Sequence, residues 1–207
     1  MTLPTIDFRS IREHEGSVQR GFEELVVELI PWLDEDARGR KVSRHGSPDS
    51  GIEAYIELED GAIWGWQAKY FFRIDNAELQ QMRESFETAL ASCPSLTRYT
   101  FVLPMNPPAG QHGESAKRKL ERAFETWTSL AASEGRTIEF RFAGESQLID
   151  ALLREEHVGH VFYWFDKRIL FSQEWLQRRY EQARNKAGPR YTEEVNVDVP
   201  IRFAFDG

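Results

Sequence analysis

Residues 46 to 70 read GSPDSGIEAYIELEDGAIWGWQAKY, and this order predicts a loop that leads into two paired strands. The opening residues are rich in glycine, serine and proline, a composition typical of a loop. Apolar and polar side chains then alternate from Ile52 to Leu58, as they do in a half-buried strand. Asp60-Gly61 is a strong hairpin signal, and a strand rich in aromatic residues returns from Ile63 to Phe72. The segment therefore predicts an antiparallel hairpin entered through a polar loop.

The sequence on either side of this hairpin predicts helices and further strands. Apolar residues at helical spacing run from residue 17 to residue 30, and we expect Pro31 to end this first helix. After the hairpin the pattern predicts a helix over 77–92, a strand over 98–104, a helix over 114–133, a strand over 137–142 and a helix over 144–154. The predicted fold class is therefore α/β, with a mixed β-sheet flanked by helices.

Length and composition narrow the classes of protein that fit. The chain has 207 residues, of which 41% are hydrophobic and 29% are charged, as in an ordinary globular protein. No apolar run approaches the roughly 18 residues needed to span a bilayer, and the N-terminus lacks the pattern of a secretion signal. Cys93 is the single cysteine, so no disulfide can form within the chain. We therefore expect a cytoplasmic protein with no membrane contact.

A net charge of −8 argues against a protein whose entire surface attracts nucleic acid. A cluster of basic residues nevertheless lies in the predicted loop over 38–51, immediately before Asp49. In this basic strip, Arg40, Lys41 and Arg44 are candidates for weak contacts to a phosphate backbone. The alternative interpretation is a solvated loop, and the sequence leaves both open.

Four polar residues of this region are placed where their side chains can meet. Asp49 lies in the loop and Glu53 opens the first strand. Gln67 and Lys69 share one face of the second strand, because side chains alternate along a strand. Hydrolysis of a phosphodiester requires a hard cation held by oxygen ligands and a positive group near the phosphate. We predict that Asp49, Glu53 and Gln67 bind a metal and that Lys69 stabilises developing negative charge. Taken singly, Asp49 would instead cap a turn, and Gln67 and Lys69 would be polar residues of an edge strand.

A carboxylate from the first helix can complete such a set, and the sequence offers Glu23 and Glu24. Glu23 has Val26, Val27 and Ile30 at positions i+3, i+4 and i+7, so it points along an apolar face. Glu24 has charged residues at i−4 and i+4 and belongs to the solvated face. A carboxylate that is turned inward is costly unless it is paired or near a metal. Glu23 is therefore the predicted ligand from the helix.

The order of these residues resembles the PD-(D/E)xK nuclease superfamily, in its Mrr-like branch. That branch has Phe-Glu on the first helix, an Asp-Gly-Gly-Ile-Asp-like segment and then Gln-x-Lys. The matching residues here are Phe22-Glu23, residues 49–53 (DSGIE) and residues 67–69 (QAK). The resemblance covers residues 17 to 105. It implies a restriction-endonuclease-like fold, a Mg²⁺ cofactor with Mn²⁺ as an alternative, and hydrolysis of double-stranded DNA.

Two positions depart from the pattern of the branch. Ser50 replaces a glycine, and Glu53 stands where the branch has aspartate. These departures leave open whether Asp49 or Glu53 is the principal metal ligand. They also leave open a binding or assembly module that keeps the nuclease fold without its chemistry. A stand-alone restriction enzyme for modified DNA is a third interpretation.

Three segments are also similar to the N-terminal effector domains of bacterial antiviral STAND ATPases of the Avs group. They are residues 65–71 (GWQAKYF), residues 163–166 (YWFD) and residues 188–200 (GPRYTEEVNVDVP). This resemblance implies an anti-phage nuclease that acts as a dimer or tetramer, upstream of ATPase and sensor domains in the same polypeptide. It implies a nuclease domain over 1–170, a C-terminal helix over 171–187 and an extended linker over 188–207.

Other chemically active side chains receive simpler interpretations. His157 and His160 lie near a predicted turn with no cysteine nearby, so we interpret them as an incidental loop pair rather than metal ligands. Trp164 and Phe165 are expected to pack in the core, with base stacking as the alternative. Cys93 is expected to end a helix.

Overall fold

The sheet and its flanking helices are defined by a computed structural model that describes residues 3–44, 50–109 and 115–166. The described helices are α1 (Val18–Leu33), α2 (Asn76–Ser92), α3 (Ala116–Ser133), α4 (Glu145–Leu152) and α5 (Val158–Phe165). The described strands are β1 (Ser43–Arg44), β2 (Ala54–Glu57), β3 (Ile63–Ala68), β4 (Leu96–Val102) and β5 (Glu139–Ala143). Short 3₁₀ turns occupy Phe8–Ser10, Glu35–Ala37 and Glu155–His157.

The five strands form one mixed sheet in the order β1-β2-β3-β4-β5. β2 and β3 pair antiparallel, and β1 adds to the outer edge of β2. β3, β4 and β5 run parallel, which requires crossover connections, and α2 and α3 provide them. The carboxyl ends of β3, β4 and β5 therefore lie at one end of the sheet, together with the start of β2. We call this the carboxyl end of the sheet.

Alternating side chains divide the sheet into two faces, each with its own apolar core. Trp66, Ala68 and Val102 belong to the core that includes α1, α4 and α5. Tyr99 and Phe101 belong to the core on the opposite face, with α2 and α3. Helices thus flank both faces of a mixed sheet, and the predicted α/β fold class is confirmed.

Two segments predicted from the sequence lie outside the described residues. The predicted C-terminal helix over 171–187 and the linker over 188–207 follow Asp166, the last described residue.

In the three described ranges, none of the helices combines the length and apolar character that crossing a membrane requires.

Helix α1 begins at a well-formed N-cap and continues past a proline. The Ser17 side chain accepts a hydrogen bond from the amide of Arg20, which satisfies one of the free N–H groups of the first turn. The prediction that Pro31 ends the helix is wrong, because α1 continues to Leu33. Proline removes one backbone hydrogen bond, but the turn that contains it is held by burial of Ile30, which is 0% exposed.

β2, β4 and β5 differ from their predicted ranges by one or two residues at each end. The strands depart further from the sequence prediction at two places. The interval 38–51, predicted as a loop, contains β1, in which Arg44 lies opposite Ala54 of β2. The second hairpin strand ends at Ala68 and does not reach Phe72. The reason is a tight turn in which the amide of Phe71 donates to the carbonyl of Lys69 at 2.9 Å, an i to i+2 bond that ends the extended conformation.

A buried ionic cluster fixes the end of α1 on the sheet. Asp34, which follows α1 and is 8% exposed, accepts hydrogen bonds from Arg98 of β4 and Arg141 of β5. Arg98 also pairs with Glu139 at 2.7 Å, and its guanidinium lies 3.8 Å from the centroid of the Trp64 ring. A buried charge needs such opposite partners to offset its loss of hydration. The cluster lies near the amino ends of β4 and β5, away from the carboxyl end of the sheet.

Candidate functional site

Glu53 and Gln67 meet at the carboxyl end of the sheet. The amide of Glu53 donates to the carbonyl of Trp66 at 2.9 Å, which extends the pairing of β2 with β3 by one residue. This register places Glu53 opposite Gln67, on the face that α2 and α3 cover. The Nε2 atom of Gln67 donates to Oε1 of Glu53 at 2.7 Å. The fold thus joins two oxygen-bearing side chains from neighbouring strands, and we call them the Glu53–Gln67 pair.

The Oε1 atom of Gln67 is a buried acceptor. Nε2 also contacts the carbonyl of Ala68 at 3.3 Å. Because both atoms that Nε2 contacts are acceptors, the amide orientation is fixed and Oε1 points away from them. The side chain is 3% exposed, and among the described residues no donor reaches Oε1. Such an atom costs about 1–3 kcal/mol when it is left without a partner, so its position fits a ligand from outside the chain, either a water or a cation.

Lys69 lies immediately beyond β3, at the same end of the sheet. Its amide donates to the carbonyl of Val102 at 2.9 Å, so its backbone is still paired with β4. The residue is half-buried. Its backbone is therefore fixed two residues beyond Gln67 in the chain.

The segment that leads into Glu53 is anchored on α2 and β4. Gly51 has φ of +73°, and a Cβ atom there would lie 2.1 Å from a carbonyl oxygen of α2, so only glycine fits. The Ser92 hydroxyl donates to the carbonyl of Ser50 at 2.9 Å. The Tyr99 hydroxyl donates to the carbonyl of Gly51. These contacts fix the backbone immediately before Glu53.

Residues 45–49 of the predicted loop lie outside the described residues, and the description resumes at Ser50. Ser50 replaces a glycine of the branch that the sequence resembles, yet it is accommodated, since it is 6% exposed and its hydroxyl lies 3.4 Å from the carbonyl of Ile52. Asp49 lies outside the described residues. Its role as a metal ligand stays a prediction, and so does the choice between Asp49 and Glu53 as principal ligand.

Glu23 is not joined to the Glu53–Gln67 pair. It lies on α1, which packs on the other face of the sheet from Gln67, and it is half-buried. Its carboxylate accepts a hydrogen bond from Gln19 at 3.0 Å. Within the described ranges, no hydrogen bond or ion pair connects it with Glu53, Gln67 or Lys69. Its assignment as a metal ligand stays a prediction.

Two residues of the basic strip are engaged within the chain. Arg44 binds both carboxylate oxygens of Glu24 on α1, one of them at 2.6 Å. Arg40 donates to the carbonyl of Asp36 at 2.8 Å, and its guanidinium lies 5.3 Å from an indole centroid. Lys41 is exposed. Contacts of the strip with DNA stay a prediction, and the contacts inside the chain give Arg40 and Arg44 a structural role.

The oxygen atoms of the Glu53–Gln67 pair are of the kind that a hard cation prefers. Carboxylate and amide oxygens are ligands of Mg²⁺ and Mn²⁺. Within the described part of the chain, no three carboxylates, histidines or cysteines come together as a metal-binding group. In the hydrogen-bonded arrangement the amide nitrogen of Gln67 faces Glu53, so the two side chains would bind one cation together only after the Gln67 amide turns its oxygen toward the carboxylate.

A second polar cluster lies between α1 and α5. His157 and His160 approach each other with their Nδ1 atoms 3.4 Å apart, and Trp32 of α1 packs edge-on against His157. His157 is 1% exposed, and burial, followed by the neighbouring His160, holds the pKa of its imidazole below the usual value. The expectation of a loop pair is wrong, because both residues lie in helical turns. Trp164 and Phe165 are buried, as expected.

Ser92 and Tyr99 are site-supporting residues that sequence reasoning missed. A serine in the last turn of a helix carries no local signal of its partner. Tyr99 offers a weak signal, since a buried tyrosine hydroxyl usually has a hydrogen-bond partner. The partner itself, the carbonyl of Gly51, is 48 residues away in sequence and could not be identified from local pattern.

The comparisons with known proteins add little to this geometry. No protein-family model matches the chain, and no curated protein matches its sequence. Among solved structures, the chain is similar to a crystal structure of a repair endonuclease from Pyrococcus abyssi, with a TM-score of 0.35 and 18% sequence identity. The similarity covers 64% of this chain and 48% of that chain. A match at this level carries no inference about activity.

Proposed function

We propose that this chain is a metal-dependent endonuclease domain that hydrolyses phosphodiester bonds of double-stranded DNA. The observation that carries the proposal is the buried Oε1 of Gln67, which has no donor among the described residues and belongs to a side chain whose Nε2 donates to the Glu53 carboxylate. Oxygen ligands of this kind favour Mg²⁺ or Mn²⁺. Lys69 adds the positive charge that a reacting phosphate requires.

Each residue has its own role in this proposal. Glu53 and Gln67, with Asp49, hold the cation, which when bound lowers the pKa of a water and neutralises charge on the phosphate. Lys69 stabilises the negative charge that develops on the phosphate oxygens and orients the attacking water. Glu23 is the proposed further ligand from α1. Ser92 and Tyr99 keep the segment before Glu53 in place.

Cleavage of supercoiled plasmid by the purified full chain tests the proposal. We expect nicking with Mg²⁺ or Mn²⁺ and none with EDTA. Gln67→Leu and Lys69→Met are each expected to lower the rate about 100-fold, the size of effect that follows loss of one group that stabilises the transition state. Glu57→Gln is the control, because Glu57 is an exposed carboxylate at the end of β2 that lies away from Glu53. Equal cleavage by wild type and Lys69→Met would overturn the proposal.

A second candidate function is a nuclease-fold binding or assembly module without chemistry. The observation that favours it is the Glu23 carboxylate, which bonds to Gln19 and not to the Glu53–Gln67 pair. Isothermal titration calorimetry with Mn²⁺ separates the two functions. A nuclease is expected to give binding heat that Gln67→Leu reduces, whereas the silent module is expected to give none.

We further propose that the domain works within a larger anti-phage protein and cleaves DNA when copies associate as a dimer or tetramer. The support is the similarity of residues 65–71, 163–166 and 188–200 to effector domains of antiviral STAND ATPases. The proposed partners are ATPase and sensor domains of the same polypeptide. The reading frame beyond Gly207 tests this, because a phosphate-loop motif is expected within roughly a hundred codons. A stop codon directly after Gly207 would contradict the proposal.

A further inference from the structure

Arg9 is held on an aromatic platform at the carboxyl end of the sheet. Its guanidinium lies 4.0 Å from the centroid of the Phe72 ring. Phe72 packs edge-on against Tyr70, with ring centroids 4.9 Å apart. The Tyr70 hydroxyl donates to the carbonyl of Phe8 at 2.7 Å. The three residues that follow Lys69 therefore bring the side chain of Arg9 to the end of β3.

The backbone that carries Arg9 is rigidly placed. Phe8 is 2% exposed and packs edge-on against Phe22 and Phe165. The carboxylate of Asp7 accepts a hydrogen bond from the amide of Arg9 at 2.9 Å, which caps the 3₁₀ turn. An arginine with a fixed backbone and a stacked side chain loses little conformational freedom when it binds an anion.

The guanidinium of Arg9 is available for a ligand. The neighbouring arginines are engaged, since Arg12 donates to two backbone carbonyls at the end of α5 and Arg20 pairs with Glu15. Arg9 is exposed, and its guanidinium has no ion pair or hydrogen bond with any residue in the described ranges. Its charge is therefore presented to solvent on the face of the Phe72 ring.

Lys69 and Phe72, on which Arg9 is stacked, are separated by a short stretch of backbone. The three residues from Lys69 to Phe72 span at most about 11 Å. One DNA strand carries a phosphate for about each 3.4 Å of helix axis. The backbone between Lys69 and Phe72 is therefore no longer than about three phosphate spacings of one strand. We expect the partner of Arg9 to be a phosphate a few nucleotides from the one at Lys69.

We propose that Arg9, stacked on Phe72, binds the phosphate backbone of the DNA strand that is cleaved beside Lys69. The inference rests on the proposed nuclease function and assigns the contact to the N-terminal segment instead of the basic strip. A planar guanidinium can bind a phosphate with two hydrogen bonds while its face stays on the ring. Arg44 cannot do so without breaking its pair with Glu24.

Fluorescence anisotropy with a short labelled DNA duplex tests this contact. The full chain with Lys69→Ala serves as the parent, so that the duplex is bound but not cut. Adding Arg9→Ala is expected to weaken binding about 3- to 10-fold at low salt and to reduce the slope of log K against log salt by about 1. Phe72→Leu is expected to weaken binding but keep the slope, because it removes the platform and leaves the charge.

The control and the outcomes separate this inference from the function on which it rests. Arg154→Ala removes one exposed arginine at the end of α4 and is expected to leave affinity and slope unchanged. If the Lys69→Ala parent binds the duplex and the added Arg9→Ala changes neither the affinity nor the salt slope, the proposed contact is overturned and the proposed function is not. A parent that fails to bind duplex DNA even at low salt would overturn the proposed function together with the contact. Thermal unfolding confirms that each variant is folded.

Discussion

At the scale of single residues, the amide of Gln67 allows the Glu53–Gln67 pair to form without a cation. Its Nε2 donates to Glu53 at 2.7 Å, whereas two carboxylates at that separation repel each other. We predict that Gln67→Glu destabilises the domain by about 1–2 kcal/mol in EDTA, or roughly 4 °C in Tm, and that Mg²⁺ restores the loss. Scanning fluorimetry with and without Mg²⁺ measures this effect. Gln67→Leu is the control and is expected to show no shift with Mg²⁺. A Tm of Gln67→Glu that does not respond to Mg²⁺ would contradict a cation at this position.

Gly51 is predicted to be intolerant of any side chain. Gly51→Ala would combine a strained φ of +73° with a Cβ that lies 2.1 Å from the backbone of α2. We expect a loss of about 3 kcal/mol or more in the free energy of unfolding, measured by urea titration. Gly39→Ala is the matched control, because Gly39 has φ of +75° but nothing within 4 Å of its Cβ position. The control is expected to lose only about 1 kcal/mol. Equal losses for the two variants would mean that the contact with α2 adds nothing.

The site residues differ in how much of their surroundings the sequence could predict. Glu53 and Gln67 were predictable because the hairpin turn and the alternation of side chains are local properties of the chain. The pairing of Arg44 with Glu24 was not, because a salt bridge over 20 residues depends on how α1 packs on the sheet. Arg9 was missed for the same reason, since its platform is formed by a segment more than sixty residues away.

At the scale of elements, the contact between α1 and α5 contains a titratable group that is buried without charge. Glu28 of α1 accepts a hydrogen bond from Trp164 at 2.9 Å, and Trp32 covers His157. Burial and the nearby His160 lower the pKa of His157 in the folded chain. As pH falls below about 6.5, the usual histidine value, the unfolded chain takes up a proton that the folded chain binds more weakly. The stability due to neutral His157 is therefore present above this pH and is lost below it.

We predict that the free energy of unfolding falls between pH 7 and pH 5 by up to about 1.4 kcal/mol per pH unit from this group. His157→Gln is expected to flatten the dependence, since glutamine does not titrate. Urea unfolding at a series of pH values measures both chains. His14→Gln, which replaces a histidine of the N-terminal segment, controls for the substitution itself. If His157→Gln keeps the full slope of wild type, another group is responsible.

Some helix and strand boundaries depend on tertiary packing and not on local sequence pattern. The existence and order of α2, β4, α3, β5 and α4 could be predicted from periodicity, whereas α5 was not predicted. The continuation of α1 through Pro31 could not, because it depends on burial of neighbouring Ile30 in the core. Strand β1 has only two residues and an unremarkable sequence, so its pairing with β2 is visible only in three dimensions.

At the scale of the whole molecule, the ionic cluster and the proposed site lie at opposite ends of the sheet. The ionic cluster around Asp34 and Arg98 lies near the amino ends of the parallel strands, where its charges are paired and buried. The Glu53–Gln67 pair and Lys69 lie at the carboxyl end, where a buried acceptor lacks a donor among the described residues. The two sets also lie on different strands, since Arg98 and Arg141 belong to β4 and β5 and Gln67 belongs to β3.

The net charge of −8 leads to the last prediction, which concerns association. An acidic domain is expected to bind DNA weakly as a single copy, because phosphate repulsion opposes the few local cationic contacts. Linking two copies makes the second binding event intramolecular and raises its effective concentration. We predict that fusion of the full chain to a dimeric coiled coil raises the plasmid cleavage rate per domain about 100-fold at low protein concentration.

Two controls make this experiment specific. The same fusion with polar residues in the coiled-coil core stays monomeric and is expected to cleave no faster than the unfused chain. The dimeric fusion with Lys69→Met is expected to bind plasmid without cleaving it. A dimeric fusion that cleaves at the rate of its monomeric control would exclude association as the source of activity. The increase should also shrink as salt rises, because salt weakens the phosphate contacts of both linked copies.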